Sequence, residues 1–339
     1  MIIAVDAAGG EYAPHEIVKG ALKAAHDYDV GIALIGRKDL LHVQAGRHRK
    51  NLNISLVDAS QTIEDHESPV EAVNSKPDSS IMVGINMVKS GEANAFVSAG
   101  NTGAVLYSSL MALGRVPGIE RPAIASIINV NVTSPALLID SGANANCRPS
   151  HLVQFAQLGT VYAREILGVA RPRIGLLNNG TEQSKGNRLM QETYGLLKET
   201  DLNFIGNVEG QSLFQGDADV VVTDGFTGNV VLKTLEGLGD TFLKLRNVAQ
   251  VFSKASHGQS RAGLLEVGLG SLVRRIDYRE SGGACLLGVD GDVVIAHGRS
   301  QSKAIRNAIG LAKQSVDHDI LQVIKRHHET WAATSAEEG

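Results

Sequence analysis

Five short stretches rich in Gly, Asn, Ser and Thr follow apolar runs in this chain, and their residue types suit the binding of an anion. They are DAAGGEYAP, with Asp6, Gly9 and Gly10; SAGNTGA, with Ser98, Gly100, Asn101 and Thr102; DSGAN, with Asn144; NNGTEQSKGN, with Lys185 and Asn187; and DGFTGN, with Asp224, Gly225, Thr227, Gly228 and Asn229. Glycine and asparagine let backbone N–H groups point outward, and a helix that starts after the turn adds positive potential at its N-terminus. Lys185 adds a full charge, so the chemistry suggested is the holding of phosphate or an oxyanion. One such turn alone is an ordinary strand-to-helix connection. Asn229 reads equally as the N-cap of a helix beginning at Val230, Asp224 as a residue that orients its own turn, and Lys185 as a solvated surface charge.

Several common chemistries are missing from the pattern. No GxGxxG with an acidic residue about 20 positions on follows the first apolar run, so a dinucleotide fingerprint is absent. Neither GxxxxGK[ST] nor GxSxG occurs, which removes the usual triphosphate cradle and the serine-hydrolase elbow. No cluster of spaced carboxylates suggests a divalent-metal decarboxylase. Cys147 and Cys285 have neither CxxC nor Cys/His spacing, so no metal, disulfide or cofactor is expected, and a reducing cytosol fits. Cys147, in NANCRPSH, has no designated base and reads as a buried structural thiol.

The elements that must position these turns are short runs apolar from end to end: MIIAVD, GIALIG, NISLVD, AFVS, ALLID, RIGLL, NFIG, DVVV and DVVIA. Gly, Ser or Asn follows most of them, and then helical spacing, with a first helix from about 14 to 25. Strands apolar on both faces, alternating with helices, predict a three-layer α/β/α fold around a mostly parallel sheet. Ligands of such sheets bind beyond the carboxyl ends of strands, where the five turns fall. With no low-complexity linker, residues 1–330 read as one domain and 331–339 as a frayed tail.

From Leu238 to Ile276 only helical spacing is present, with Leu238, Phe242, Leu245 and Phe252, then Leu265, Leu269, Leu272 and Ile276, parted by SKASHGQSRAG. This predicts a projecting helical hairpin used for core or dimer packing; the basic residues among its apolar ones also permit contact with a membrane surface. A net charge of −4, from 32 basic and 36 acidic residues, gives no global field for nucleic acid. The opening residues lack the pattern of a signal peptide, and no run reaches the ~20 apolar residues of a membrane span. A cytoplasmic protein is expected.

Taken in order, DAAGGEYAP, SAGNTGA, RPAIA, GANANCRPSHLVQFA, LLNNGTEQSKGN, DVVVTDGFTGNVVLK, GGACLLGVDGDVVIAHGRS and AIRNAI resemble the successive signatures of the phosphate acyltransferases of bacterial phospholipid synthesis, the PlsX family. The resemblance runs from residue 2 to about residue 310. It implies transfer of a long-chain acyl group from acyl carrier protein to inorganic phosphate. It also implies a fold similar to the isocitrate and isopropylmalate dehydrogenases and phosphotransacetylases, a homodimer, and peripheral association with the membrane. Within the family pattern Lys185 and Asn229 take the catalytic positions, and the glycine turns cradle phosphate. Acyl carrier protein is acidic, so Arg274 and Arg275 on the hairpin suit its docking. A thiolate leaves readily without an acid, so His297 reads as structural. Departures from the pattern at Ala8, Glu11, Asn74 and Ser281 to Cys285 bear on fine specificity. Rival readings are a phosphotransacetylase acting on acyl-coenzyme A, a nicotinamide-dependent decarboxylating dehydrogenase, and a non-catalytic membrane scaffold that binds acyl carrier protein.

Overall fold

The computed structural model describes residues 1–46, 51–129, 135–255 and 282–327. The apolar runs form β1 (Ile2–Asp6), β2 (Gly31–Gly36), β3 (Ile54–Asp58), β4 (Ala95–Ser98), β5 (Ala123–Ile128), β6 (Ala136–Ile139), β7 (Ile174–Leu177), β8 (Phe204–Val208), β9 (Val220–Val222), β10 (Gly283–Leu287) and β11 (Asp292–Ala296). Every residue of β2, β4, β6, β7 and β9 is buried. Helices cover both faces, so these strands have no polar side to present. The helices are α1 (His15–Tyr28), α2 (Lys38–Ala45), α3 (Pro69–Ser75), α4 (Ser80–Ser90), α5 (Thr102–Ala112), α6 (Pro149–Glu165), α7 (Arg188–Lys198), α8 (Ser212–Gln215), α9 (Gly225–Ala255) and α10 (Ser302–Asp317). No helix among the described residues is long and apolar enough to cross a membrane.

The strands join in one sheet, in the order β3-β2-β1-β4-β11-β10-β5-β6-β9-β7-β8. The first five run parallel to one another, as do the last four. Between them β10 is antiparallel to both β11 and β5, and β5 is antiparallel to β6. The fold is therefore three-layered and mostly parallel, with a correction to the expected single crevice. The two parallel halves run in opposite directions, so their carboxyl ends lie at opposite ends of the strands. The five glycine turns divide into two groups, around Asp6 and Ser98 on one side and around Asp140, Asn178 and Asp224 on the other. The divide comes from β5 and β10, short apolar segments with no glycine turn and helix behind them to mark them as strands.

The two faces of the sheet differ. On one, α1, α2, α6, α7 and α10 share a continuous apolar core with both halves, including Ile17, Leu41, Phe155, Leu197 and Ile309. Helices α1 and α10 pack so closely that a β-carbon on Gly20 would fall 2.7 Å from the Ile305 side chain. On the other face the core is split. One part gathers α3, α4 and α5 around Phe96, Ile85 and Val105; the other gathers α8 and α9 around Leu138, Val221 and Leu235. The gap between them lies over the antiparallel centre of the sheet.

Helix α9 corrects the boundaries read from the sequence. It starts at Gly225, not Val230, and continues unbroken through Leu238 to Ala255. The predicted hairpin therefore begins as the far part of a helix rooted in the DGFTGN turn. The intervening SKASHGQSRAG segment from 256 on, the second helical stripe, Arg274, Arg275 and the tail at 331–339 lie outside the described residues.

Candidate active site

The gap in the second face is a cavity of about 420 Å³, within the ~300–1,000 Å³ usual for small-molecule sites. Its floor is the face of the central strands, with Ile124, Ser126 and Ile128 of β5, Ala284 of β10 and Ile295 of β11. One wall is the start of α5, with Thr102, Gly103 and Leu106; the other is α9, with Asn229, Leu232, Lys233, Leu235 and Glu236. Ser141, Gly142 and Ala143 close one end, and His297 lies beyond β11. Alternation along β5 sets Ile124, Ser126 and Ile128 on this face, while Ala123 and Ala125 pack on the other.

The end near Asn229 is built on a buried carboxylate. Asp140 follows β6 and has no exposed surface. Its Oδ1 accepts the N–H groups of Ile124 (3.0 Å), Gly142 (3.1 Å) and Ala143 (2.9 Å), and its Oδ2 accepts the N–H and Nδ2 of Asn144 at 2.7 and 2.9 Å. Burial pushes the Asp140 carboxyl above the usual range, opposed by the donors around it. The first turn of α9 lies directly on this turn. A β-carbon on Gly225 would fall 2.6 Å from the Asn144 nitrogen, and one on Gly228 would fall 1.9 Å from the Asp140 carbonyl oxygen. The two glycines that bracket the DGFTGN turn thus let a helix and a strand-end turn pack backbone to backbone.

That packing decides where Asn229 goes. Asp224, not Asn229, caps α9: its carboxylate accepts the Thr227 N–H (2.9 Å) and hydroxyl (2.8 Å). Asp224 therefore orients its own turn, and Thr227 is occupied with it. Asn229 lies inside the helix, exposed, and lines the cavity. A β-carbon on Gly142 would sit 3.8 Å from its Oδ1, so Asn229 faces the open side of the Asp140 turn. Beside it the Ser126 and Ser141 hydroxyls pair at 2.7 Å, with Ser141 also donating to the Ile124 carbonyl at 3.0 Å.

The other expected residues are distributed differently. Asp6 is buried and accepts the N–H groups of Ala8 and Gly9, both at 3.0 Å, and the Ser98 hydroxyl at 2.7 Å; Ser98 in turn accepts the Gly100 N–H at 3.0 Å. A β-carbon on Gly9 would lie 2.8 Å from the Gly100 α-carbon, so these glycines hold two turns together. Gly10 has φ +99° and packs against the Gly298 carbonyl. Asn101 caps α5 by accepting the Ala104 N–H at 3.0 Å, and its Nδ2 lies 3.2–3.3 Å from the carbonyls of Glu64, Asp65 and Glu67. Thr102, next to it, is exposed and lines the cavity. Asn187 caps α7 through the Met190 N–H at 3.0 Å. Lys185 is exposed on the loop after β7, with Asn178 Nδ2 donating to its carbonyl at 3.2 Å. It sits at the same strand ends as Asp140 and Asp224 but does not line the cavity.

Three cavity residues were not among the expected site. Glu236 Oε2 lies 2.8 Å from His297 Nε2 and 3.0 Å from Lys233 Nζ, and His297 Nδ1 accepts the Arg299 N–H at 3.0 Å. Burial pulls the Glu236 carboxyl upward, but its hydrogen bond to His297, and then the bond and charge of Lys233, outweigh it and leave it below the ordinary glutamate value. Asn229, Lys233 and Glu236 stand at i, i+4 and i+7, one face of a helix. That spacing was visible in the sequence once the helix start was known. Cys147 is half-buried, its thiol pushed up to about 11 by burial and then by the Asp140 charge; Cys285 is buried against the Tyr162 hydroxyl and pushed up to about 12. Both are poor nucleophiles.

Comparison with known proteins agrees with this architecture. Residues 1–323 match the model of the family described as fatty acid synthesis protein. The chain is 55% identical over 324 residues to a phosphate acyltransferase of Dehalococcoides mccartyi, covering 96% of this chain and 93% of that one. It is 45% identical over 330 residues to a phosphate acyltransferase of Pelotomaculum thermopropionicum, covering 97% and 96%. In fold it is similar to a phosphotransacetylase from Streptococcus pyogenes, with a TM-score of 0.61, 16% identity, and 93% and 94% of the two chains covered. Identity at this level over nearly the whole length leaves one conclusion: the chain belongs to the fatty acid synthesis protein family and is an acyltransferase of its phosphate acyltransferase group.

Proposed function

We propose that this enzyme moves a long-chain acyl group from the thioester of acyl carrier protein to inorganic phosphate and releases acyl phosphate for glycerophospholipid synthesis. The observation that carries the reading is the cavity between α5 and α9. Its body is apolar, with Leu106, Ile124, Ile128, Leu232, Leu235 and Ile295, and polar groups converge at its ends. An acyl chain and a reacting carboxyl group need that combination.

Phosphate is already a nucleophile, so the protein's task is to hold it, align it and stabilise charge. A phosphate oxygen of HPO₄²⁻ forms a C–O bond to the thioester carbon, and the carbonyl π electrons move onto oxygen. They return as the C–S bond breaks and sulfur leaves with the bonding pair. The thiolate takes up one proton, matching the one the attacking phosphate gives up. Asn229 donates to the carbonyl or phosphate oxygen. Lys185 offsets phosphate charge from the neighbouring loop, and Thr102 and the 141–143 turn border the anion. No cofactor or metal enters this scheme. The enzyme acts as a cytoplasmic homodimer with peripheral membrane contact, and Arg274 and Arg275 dock the acidic carrier.

The test is acyl phosphate formation from palmitoyl-acyl carrier protein, palmitoyl-coenzyme A and acetyl-coenzyme A, each with inorganic phosphate. Preference for the carrier-bound donor supports the reading. Preference for acetyl-coenzyme A would make the chain a phosphotransacetylase, and no product from any donor would leave the scaffold reading. Lys185→Ala should lower the rate about 100-fold if it offsets transition-state charge; an unchanged rate would remove it from the mechanism.

A further inference from the structure

The cavity contains its own cation. Lys233 is the one lysine or arginine among the described residues that line it, and it projects from α9 one turn beyond Asn229 on the same face. Its side chain is about half exposed, while the Glu236 side chain beneath it is only 7% exposed. A lysine so placed is flexible unless something fixes its end.

Glu236 and His297 fix it. Because His297 Nδ1 accepts the Arg299 N–H, the imidazole proton belongs on Nε2, where it points at Glu236 Oε2; this tautomer follows from the bonding pattern. Lys233 Nζ, 3.0 Å from the same imidazole nitrogen, is then a second donor to the same carboxylate oxygen. One buried carboxylate thus collects two donors from two elements, α9 and the segment after β11. The ammonium has three N–H groups, so one bond to Glu236 leaves two to offer a ligand.

We infer that Lys233 binds an anionic oxygen of inorganic phosphate in the α5–α9 cavity, and that Glu236, backed by His297, is the positioning residue that aims it. The inference rests on the proposed use of phosphate as acyl acceptor. Lys233 and Asn229, about 6 Å apart along the helix axis, would contact phosphate and the thioester oxygen side by side.

The experiment measures KM for phosphate and for palmitoyl-acyl carrier protein in the wild type, Lys233→Met, Lys233→Arg and Glu236→Gln. Phosphate dissociation constants are taken separately by ³¹P NMR titration without acyl donor. Lys233→Met should raise the phosphate KM and dissociation constant about tenfold or more, the scale of one hydrogen bond to a charged group, and leave the acyl-donor KM unchanged. Lys233→Arg should recover most of the loss. Glu236→Gln should move phosphate affinity in the same direction by less. Matching thermal midpoints for Lys233→Met and wild type would exclude misfolding, and the exposed position makes them the expected result. Unchanged phosphate affinity in folded Lys233→Met overturns the inference, as does a wild type that binds no phosphate. If the wild type forms no acyl phosphate from any donor, the acyl-transfer reading fails by itself; the NMR titration then decides whether Lys233 holds phosphate.

Discussion

At the end of β1 the buried carboxylate of Asp6 collects the N–H groups of its own turn and the Ser98 hydroxyl; at the end of β6 the buried carboxylate of Asp140 collects four N–H groups and the Asn144 amide. Glycines pack tightly against both, Gly9 and Gly100 in one and Gly225 and Gly228 in the other. A helix that starts beside each carries an asparagine near its first turn, Asn101 for α5 and Asn229 for α9. From there the two diverge. Asn101 is turned under the 64–67 loop, where its amide meets three carbonyls. Asn229 is one turn farther into its helix and faces the cavity. The same residue types thus build a structural fastening in one half and the border of a site in the other. What separates them is the depth of the asparagine in its helix: a cap is used up by backbone, and a residue inside the first turns is free to meet a ligand.

The largest effect should come from Gly228→Ala. The added β-carbon would meet the Asp140 carbonyl, and both partners are backbone. Destabilisation of about 3 kcal/mol or more is expected, read by chemical denaturation; a loss under 1 kcal/mol would mean that the two turns are not in contact. Asp140→Asn keeps the shape but sets an NH₂ group against backbone N–H groups in either orientation, for a loss of about 2 kcal/mol. Asn101→Ala removes a helix cap and a loop clamp. It should lower stability by about 1–2 kcal/mol while leaving the folded enzyme's kcat within a few-fold. A collapse in kcat at full stability would make the two asparagines alike and dissolve the comparison.

The smallest effect is a pH dependence. The Glu236 carboxyl titrates below its ordinary value in the folded protein, so its share of stability is complete above the unfolded value near 4.5 and is lost as pH falls through the folded value. Wild type should lose stability below about pH 4.5 more steeply than Glu236→Gln. Equal slopes would mean that the carboxylate is not held by His297 and Lys233.

The fold was legible because parallel strands covered on both faces are apolar along most of their length. GIALIG, ALLI and VVV can be little else when glycine turns and helical spacing follow. The strands β5 and β10 were not legible, since no helical spacing follows AIASII or GACLL; GACLL instead turns at Gly288 straight into β11. Their antiparallel pairing, which separates the five turns into two groups, is a tertiary event. Asn229 could be placed in the right turn, but its role depended on where α9 begins, and Gly225 as a first helical residue runs against glycine's low helix propensity. Backbone packing on Asp140 overrides that propensity. The Lys233–Glu236–His297 cluster needed residues 64 apart to meet across β11, which no local pattern announces.

The most direct test is acyl phosphate formation by Asn229→Ala beside wild type, with thermal midpoints measured on the same samples. If the cavity over the central antiparallel strands is where acyl transfer occurs, kcat/KM should fall by roughly 100-fold or more with little change in midpoint. Full activity in a folded Asn229→Ala protein would contradict the account and move the reaction out of the cavity.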